Sequence, residues 1–495
     1  MENTSGVLFL ATLVVGGISA YVIYQCFLSP LASFPGPFAA KISKIWRARF
    51  IYTGRSREMV EVHRKYGPVV RIGPNDLSVG DPDAFRQIYR SNGAFVKAPC
   101  YSVFQGSRPF DLVGERNEKI HGAQRSLVAR PYSMESMKHL EPRIEATIEA
   151  LLRKLDAATT TPSKSLNLGQ WLQLTAFDII GAVSFGEPFE FVAAGTDNGL
   201  FARLQGALDS AGWVMHVPWF HTFHQKVIKP VLGNYLALND RHRYLLGYFF
   251  DVSKARVEKR KKRNIADNRD IVGQLLQVQA HKPELTDTSI SYMMTSNVMA
   301  GADTTSAAMR SIFFHLFRQP HRITKLRAEI QERCGDKRSE VYSAEDCENC
   351  PLLQAVLYEG MRLLPSVPFI LERSVPPEGM TICGKHIPGG TVVGSTPWVI
   401  HRIPKIWGPD PDVFRPERWL DADNVGEMKR LFFQFGGGTR PCIGRNISWL
   451  EVEKIVATLI MRYDFEIADD ADIRDESRGL TQIKSLKVNI FRRST

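Results

Sequence analysis

The chain has 495 residues, 44% of them hydrophobic and 23% charged. This is ordinary globular composition, long enough for one large domain or two to three smaller ones, and it excludes both a disordered chain and a polytopic membrane protein. The net charge of +11 suits an acidic partner or an anionic membrane surface, and no nucleic-acid reader motif accompanies it. The seven cysteines are odd in number and scattered, which fits a reducing compartment better than a disulfide framework.

Val7 to Leu28 holds no charged residue, and at helical rise it extends roughly 33 Å, enough to cross a bilayer. Residues 1–6 lack Lys and Arg, so the segment reads as a membrane span and not as a cleaved signal peptide. Lys41, Lys44, Arg47 and Arg49 follow it. By the positive-inside rule residues 1–6 are luminal, residues 7–28 are a single-pass anchor and the body of the chain is cytosolic. Asn3-Thr4-Ser5 is formally a glycosylation sequon, too near the membrane for use to be expected.

Pro30 and Pro35-Gly36-Pro37 predict a stiff, non-helical connector over residues 29–40. Residues 66–80 read as two short strands punctuated by Gly67-Pro68 and Gly73-Pro74, and Asp81 to Tyr89 reads as a helix. Phe95 to Gly114 is loop-like and carries Phe95, Tyr101, Phe104 and Phe110. Helical periodicity covers Met134 to Leu155 and Leu166 to Ser184. Trp213 to Phe250 has a heavy aromatic load, including Trp219, Phe220, Phe223, Tyr235, Tyr244 and Phe249, and fits a lid or plain core equally. The basic run Lys259 to Arg263 predicts a solvated loop. Cys347-Glu-Asn-Cys350 has the spacing of half a zinc site, with no second half to complete it.

Thr286 or Asp287 caps a predicted helix running to about Arg318, stopped by Pro320. In its middle stands Ala300-Gly301-Ala302-Asp303-Thr304-Thr305. A mid-helix glycine costs about 1 kcal/mol against alanine, and a buried carboxylate costs more unless paired. Some role should offset that cost. The plain alternative is an exposed Asp303 with Thr304 bonding back to its own helix. Further on, Glu359 and Arg362 share a helix face by their i,i+3 spacing, as His121 and Arg125 do by i,i+4.

Phe435 to Gly444 reads FGGGTRPCIG and feeds an amphipathic helix. The helix N-terminus and Arg440 predict a lowered pKa for Cys442, and the glycines let the backbone approach a large flat partner. A P-loop lacks its Gly-Lys-Ser/Thr ending here, and a catalytic nucleophile needs a histidine base that one sequence does not place. An inert buried cysteine leaves the glycines and the arginine unexplained.

The spacing Phe435, Gly438, Arg440, Cys442, Gly444 resembles the haem-thiolate signature of the cytochrome P450 family, and the resemblance extends over about residues 30–495. It implies a mainly α fold with small β-sheets, preceded by one N-terminal transmembrane helix, with residues 29–40 a proline-rich hinge and 41–495 the catalytic domain. It implies haem b as cofactor, with Cys442 as its iron ligand and Phe435, Arg440, Arg373, Arg125 and His121 around it. This chain has His-xxx-Arg where the family often has Trp-xxx-Arg. The resemblance makes Asp303 and Thr304 the acid and alcohol that deliver protons for O–O cleavage. Glu359, Arg362 and Arg418 become a structural lock for the cysteine loop. Tyr101, Phe104, Ala300, Val367, Phe369, Ile370 and Thr481 become substrate-pocket residues.

The implied function is a monooxygenase of the pisatin-demethylase-like fungal group. It would oxidise a lipophilic small molecule in secondary metabolism at the endoplasmic reticulum membrane. Electrons would come from NADPH through NADPH-cytochrome P450 reductase, with cytochrome b5 as a second candidate donor. The rivals are a haem-thiolate isomerase or dehydratase that uses no O₂, and a non-catalytic haem- or lipid-binding membrane protein.

Overall fold

The computed structural model describes residues 2–91, 95–105, 108–160, 165–232, 245–262, 269–337, 340–421, 423–468 and 474–493. Tyr235, Tyr244 and Arg263 lie outside them.

Helix α1 (Glu2–Ile23) continues as a π-helical turn over Tyr24–Leu28. Gly6–Leu28 is the one stretch among the described residues long and apolar enough to cross a membrane, and it is not packed inside the protein. The turn at its end is clasped by the body. Arg71 donates to the Gln25 carbonyl at 2.7 Å and to the Gln25 side chain at 2.6 Å. The connector is shorter than expected, because a short helix already begins at Phe38. Pro37 occupies its N-cap, where the missing N–H costs little. Helix α2 (Ile45–Tyr52) follows.

Strands β1 (Val69–Gly73) and β2 (Asp76–Val79) form the expected hairpin. They open a five-stranded sheet with β3 (Val96–Lys97), β4 (Arg373–Ser374) and β5 (Val392–Gly394), in the order β1-β2-β5-β4-β3. Asp81 caps the helix Pro82–Ile88 with its carboxylate.

The rest is mainly helical. The scaffold is α3 (Glu118–Val128), α4 (Met134–Thr159), α5 (Leu168–Phe185), α6 (Leu200–Val214) and α7 (Leu245–Lys261). To these are added α8 (Asp287–Phe317), α9 (Pro351–Leu363) and α10 (Arg445–Arg462). Thr286 caps α8 through the Ser289 N–H. This helix packs on α5, α7, α9 and α10 and is buried along most of its length, so the core is built around it. Gly301 lies against α5: a Cβ there would stand 3.1 Å from the Ile180 side chain. That close approach offsets the helix-propensity cost of a mid-helix glycine.

The described part of the basic run is mostly helical. Lys259, Arg260 and Lys261 end α7, and Arg260 is buried in an ion pair with Asp270 at 2.8 Å. The aromatic stretch divides. Trp213 and Phe220 pack against Tyr101 and Phe104, Phe249 is fully buried, and Trp219 is 68% exposed.

Candidate active site

The cysteine loop is held by its own backbone and by its neighbours. The Cys442 N–H donates to the Phe435 carbonyl at 2.8 Å. Gly438 has φ +71°, and a Cβ there would meet the Tyr89 carbonyl at 3.0 Å, so both conformation and space demand glycine. Arg125 donates to the Pro441 carbonyl at 3.0 Å. The Cys442 side chain is accessible although protein surrounds it at longer range. Against the sequence expectation, its thiol is pushed up. Burial outweighs the Gly444 and Arg445 N–H groups and the charges of Arg125 and Arg445, all of which favour thiolate.

Near the loop Glu359, Arg362 and Arg418, the expected lock, form one buried ion-pair cluster. Glu359 receives Arg362 Nε at 2.8 Å and Nη2 at 2.9 Å, Arg418 Nε at 2.9 Å, Trp419 Nε1 at 2.9 Å and the Arg415 N–H at 2.9 Å. These cations hold its carboxyl below the usual range despite burial. Arg362 also donates to the His401 and Pro411 carbonyls, each at 2.7 Å.

His401, which sequence reasoning missed, carries this order to the loop. Its Nδ1 is 3.0 Å from the Arg362 carbonyl, and its Nε2 accepts the Phe433 N–H at 2.8 Å. Only the tautomer protonated on Nδ1 makes both bonds. Burial and Arg362 drive its pKa far down, which keeps the ring neutral. No helical or strand period marks a histidine in the loop-rich stretch after Ile400, so the sequence held no signal for it.

Cations converge near the loop. Lys97 and Arg373 stand directly opposite in the β3–β4 pair, both buried. Like charges so placed repel. Lys97 is pushed down to about 7 by burial, Arg373 and Arg440, and sequence reasoning missed it as well. His121 is pushed down to about 3 by burial, Arg440, Lys97, Arg125 and Arg373, so it is neutral. Arg440 is engaged by Glu118 of α3, with Nη2 to Oε1 at 2.6 Å, and by the Glu115 carbonyl at 2.8 Å. Phe435 lies under the Arg445 guanidinium at 5.6 Å.

On α8 the two expected residues separate. Thr304 donates to the Ala300 carbonyl at 2.7 Å, while Asp303 is fully buried and accepts from Gln173 of α5 at 2.5 Å. Burial pushes Asp303 up to about 6 against Gln173 and Arg310. Ala300 is exposed, and Thr305 reaches Ser448 of α10 at 3.1 Å.

Tyr101, Phe104 and Phe369 join Trp213 and Phe220 in one apolar cluster. Residues 366–370 alternate: Val367 and Phe369 are half-buried, while Ser366, Pro368 and Ile370 are buried. Ile370 packs on Met59, Val70, Ile72 and Val399, and with Pro368 and Phe369 it also lines a cavity beside Arg47 and His216. Thr481, at the start of a C-terminal strand, is also buried. Its N–H donates to the Ser366 carbonyl at 2.9 Å and its hydroxyl meets Ser477 at 3.1 Å, so it is tied to the stretch that carries Val367.

A family model described as Cytochrome P450 matches residues 35–490. Cytochrome P450 monooxygenase hepC of Aspergillus oryzae is 49% identical over 489 residues, covering 95% of this chain and 94% of the relative. A Cytochrome P450 monooxygenase of Aspergillus terreus is 32% identical over 455 residues, covering 88% of this chain and 90% of the relative. Cytochrome P450 monooxygenase cicH of Emericella nidulans is 32% identical over 454 residues, with 89% of each chain covered. The chain belongs to the cytochrome P450 family and is a monooxygenase of that family.

The family implies haem, and these residues fit it. Lys97, Arg125, Arg373 and Arg440 form a cationic set whose mutual repulsion a dianionic group would relieve. The accessible Cys442 sulfur on a glycine loop suits a flat metal-bearing ring, and metal coordination would deprotonate a thiol that burial alone keeps neutral.

Proposed function

We propose that this chain inserts one oxygen atom from O₂ into a lipophilic small molecule in fungal secondary-metabolite biosynthesis. Electrons would come from NADPH through a membrane-bound flavoprotein reductase. The observation that carries the proposal is the accessible Cys442 on its braced loop beside the buried cationic set. Cys442 would bind the iron of haem b, and Lys97, Arg125 and Arg373 would face the propionates, with Arg440 held in place by Glu118. Bound there, the haem supplies O₂ activation with a thiolate as its electronic lever.

The remaining work falls to the chain. Glu359, Arg362 and Arg418 brace the loop. Thr304 offers a hydroxyl at the face that Ala300 leaves open, and Asp303 holds and releases a proton one residue away. Tyr101, Phe104, Val367 and Phe369 exclude water and orient an apolar substrate. Lys429 and Arg430, with Arg445, would dock an acidic reductase. The apolar helix α1 would anchor the protein in the endoplasmic reticulum membrane, with residues 1–6 luminal.

The test is a carbon-monoxide difference spectrum of reduced microsomes carrying the chain, with Cys442→Ala beside it, followed by NADPH-dependent O₂ uptake. A red-shifted Soret band that requires Cys442 is expected. Its absence from folded, haem-replete protein would defeat the ligand assignment.

A further inference from the structure

Arg310, two turns along α8 from Asp303, is buried and donates only. Its Nε and Nη2 reach the Gly169 carbonyl at 3.0 and 2.7 Å, and Nη2 also reaches Gln173 Oε1 at 2.6 Å. Because the guanidinium cannot accept, Gln173 must turn its oxygen to Arg310. Its Nε2–H is then the group that faces Asp303 Oδ1. The amide orientation is thus fixed by chemistry. Asp303 Oδ2 is buried with no hydrogen-bond partner among the described residues.

A guanidinium in direct contact would hold this carboxylate ionised through charge-assisted bonds. A neutral amide in between passes on one N–H and keeps the cation a residue's length away. We propose that Gln173 is a positioning residue whose interposed amide keeps Asp303 a reversible proton carrier and not a fixed anion. This rests on the reading of Asp303 as a proton-transfer group.

The other charges that act on Asp303 agree with the assignment. Lys484, near the C-terminus, weakly favours the anion, Asp197 before α6 disfavours it, and burial dominates both. With Oδ1 held by Gln173, Oδ2 is the oxygen that carries the proton. When that proton passes to a water molecule in the pocket, the carboxylate keeps its Gln173 bond, and a proton from bulk water restores the acid.

The experiment is an infrared pH titration of the holoenzyme, in which the protonated carboxyl stretch of Asp303 is identified by its loss in Asp303→Asn. Wild type is expected to titrate near pH 6. Gln173→Met removes the donor with little change of volume and should move the midpoint up by about one pH unit. It should also change the solvent deuterium isotope effect and the ratio of peroxide to product, while the substrate-induced spectral shift stays as in wild type. Gln173→Asn, which withdraws the amide by one methylene, should shift the midpoint in the same direction and covers the case in which the methionine variant does not fold. An unmoved midpoint in the folded variants overturns the role of Gln173 and leaves the monooxygenase reading intact. If Asp303→Asn itself matches wild type in product, peroxide and isotope effect, the proton-transfer reading falls and this inference with it.

Discussion

Two of the buried charge clusters, one around Glu359 and one around Glu372, are built oppositely. Around Glu359 both carboxylate oxygens are used, accepting from Arg362, Arg418, Trp419 and the Arg415 backbone. Around Glu372 the pairing is partial. Arg47 Nη2 lies 2.8 Å and His216 Nδ1 3.5 Å from Glu372 Oε1. Arg47 Nε and Nη1 and His216 Nε2 have no hydrogen-bond partner among the described residues. The first cluster stands near the cysteine loop. Arg47 and His216 of the second line a cavity with Phe50, Met59, Phe369, Ile370 and Thr396, where α2 meets the end of α6. Complete satisfaction goes with the part that must keep one geometry, and incomplete satisfaction with an open part beside the candidate substrate wall.

Breaking the complete cluster should have the largest effect. Arg362→Ala leaves Glu359 a buried charge with fewer donors and frees the His401 and Pro411 carbonyls. A loss of about 3–5 kcal/mol is expected, enough to abolish recovery of haem-loaded protein. Denaturant unfolding and holoprotein yield measure it, and a variant with normal stability would mean that the lock is ornamental.

The second cluster should reveal itself in acid. Burial and Arg47 push His216 down to about 4, so the ring is neutral in the folded state. The unfolded histidine takes up a proton first, near pH 6.5. Stability is therefore complete above that pH and falls as pH drops toward 4, by up to about 3 kcal/mol from this residue. The depressed carboxyl of Glu359 acts lower, its contribution being lost only as pH falls below the usual glutamate range. Unfolding free energies of His216→Gln and wild type at pH 7 and pH 5 should thus converge in acid. A constant gap between them would show that His216 does not titrate with folding.

The same contrast explains what the sequence could announce. The apolar N-terminal helix, the β1–β2 hairpin, α8 with its Thr286 cap and the cysteine loop all follow from local pattern: apolar length, turn residues, capping chemistry and glycine runs. Long-range partners do not. Lys97 is one polar residue in a loop-like stretch until β3 pairs with β4 and sets it opposite Arg373. Gln173 lies inside an apolar helical pattern and acquires meaning only when α5 packs on α8. Ile370 sits beside Phe369 in sequence, but its packing on Met59, Val70, Ile72 and Val399 exists only once the sheet meets its covering helices. The Cys442 thiol went the other way because a helix N-terminus is a local term, whereas desolvation depends on the whole fold.

The smallest expected effect is the most specific. His401→Phe keeps a ring to stack on Phe432, now 5.5 Å away and nearly parallel, but removes the acceptor for the Phe433 N–H and the donor to the Arg362 carbonyl. About 1–3 kcal/mol should be lost, since a buried N–H is left unpaired. That N–H begins the turn whose last residue, Phe435, holds the Cys442 backbone, so the lost bond loosens the loop more than the domain. The thiolate-type carbon-monoxide band should therefore decline at temperatures where the fold still holds. If the histidine is the link between lock and loop, its effect must overlap with that of Arg362. A milder Arg362→Lys combined with His401→Phe should then lose less stability than the two losses added, because neighbours in one hydrogen-bond network are not independent. Strict additivity would mean that lock and loop are braced separately, and that His401 serves the loop alone.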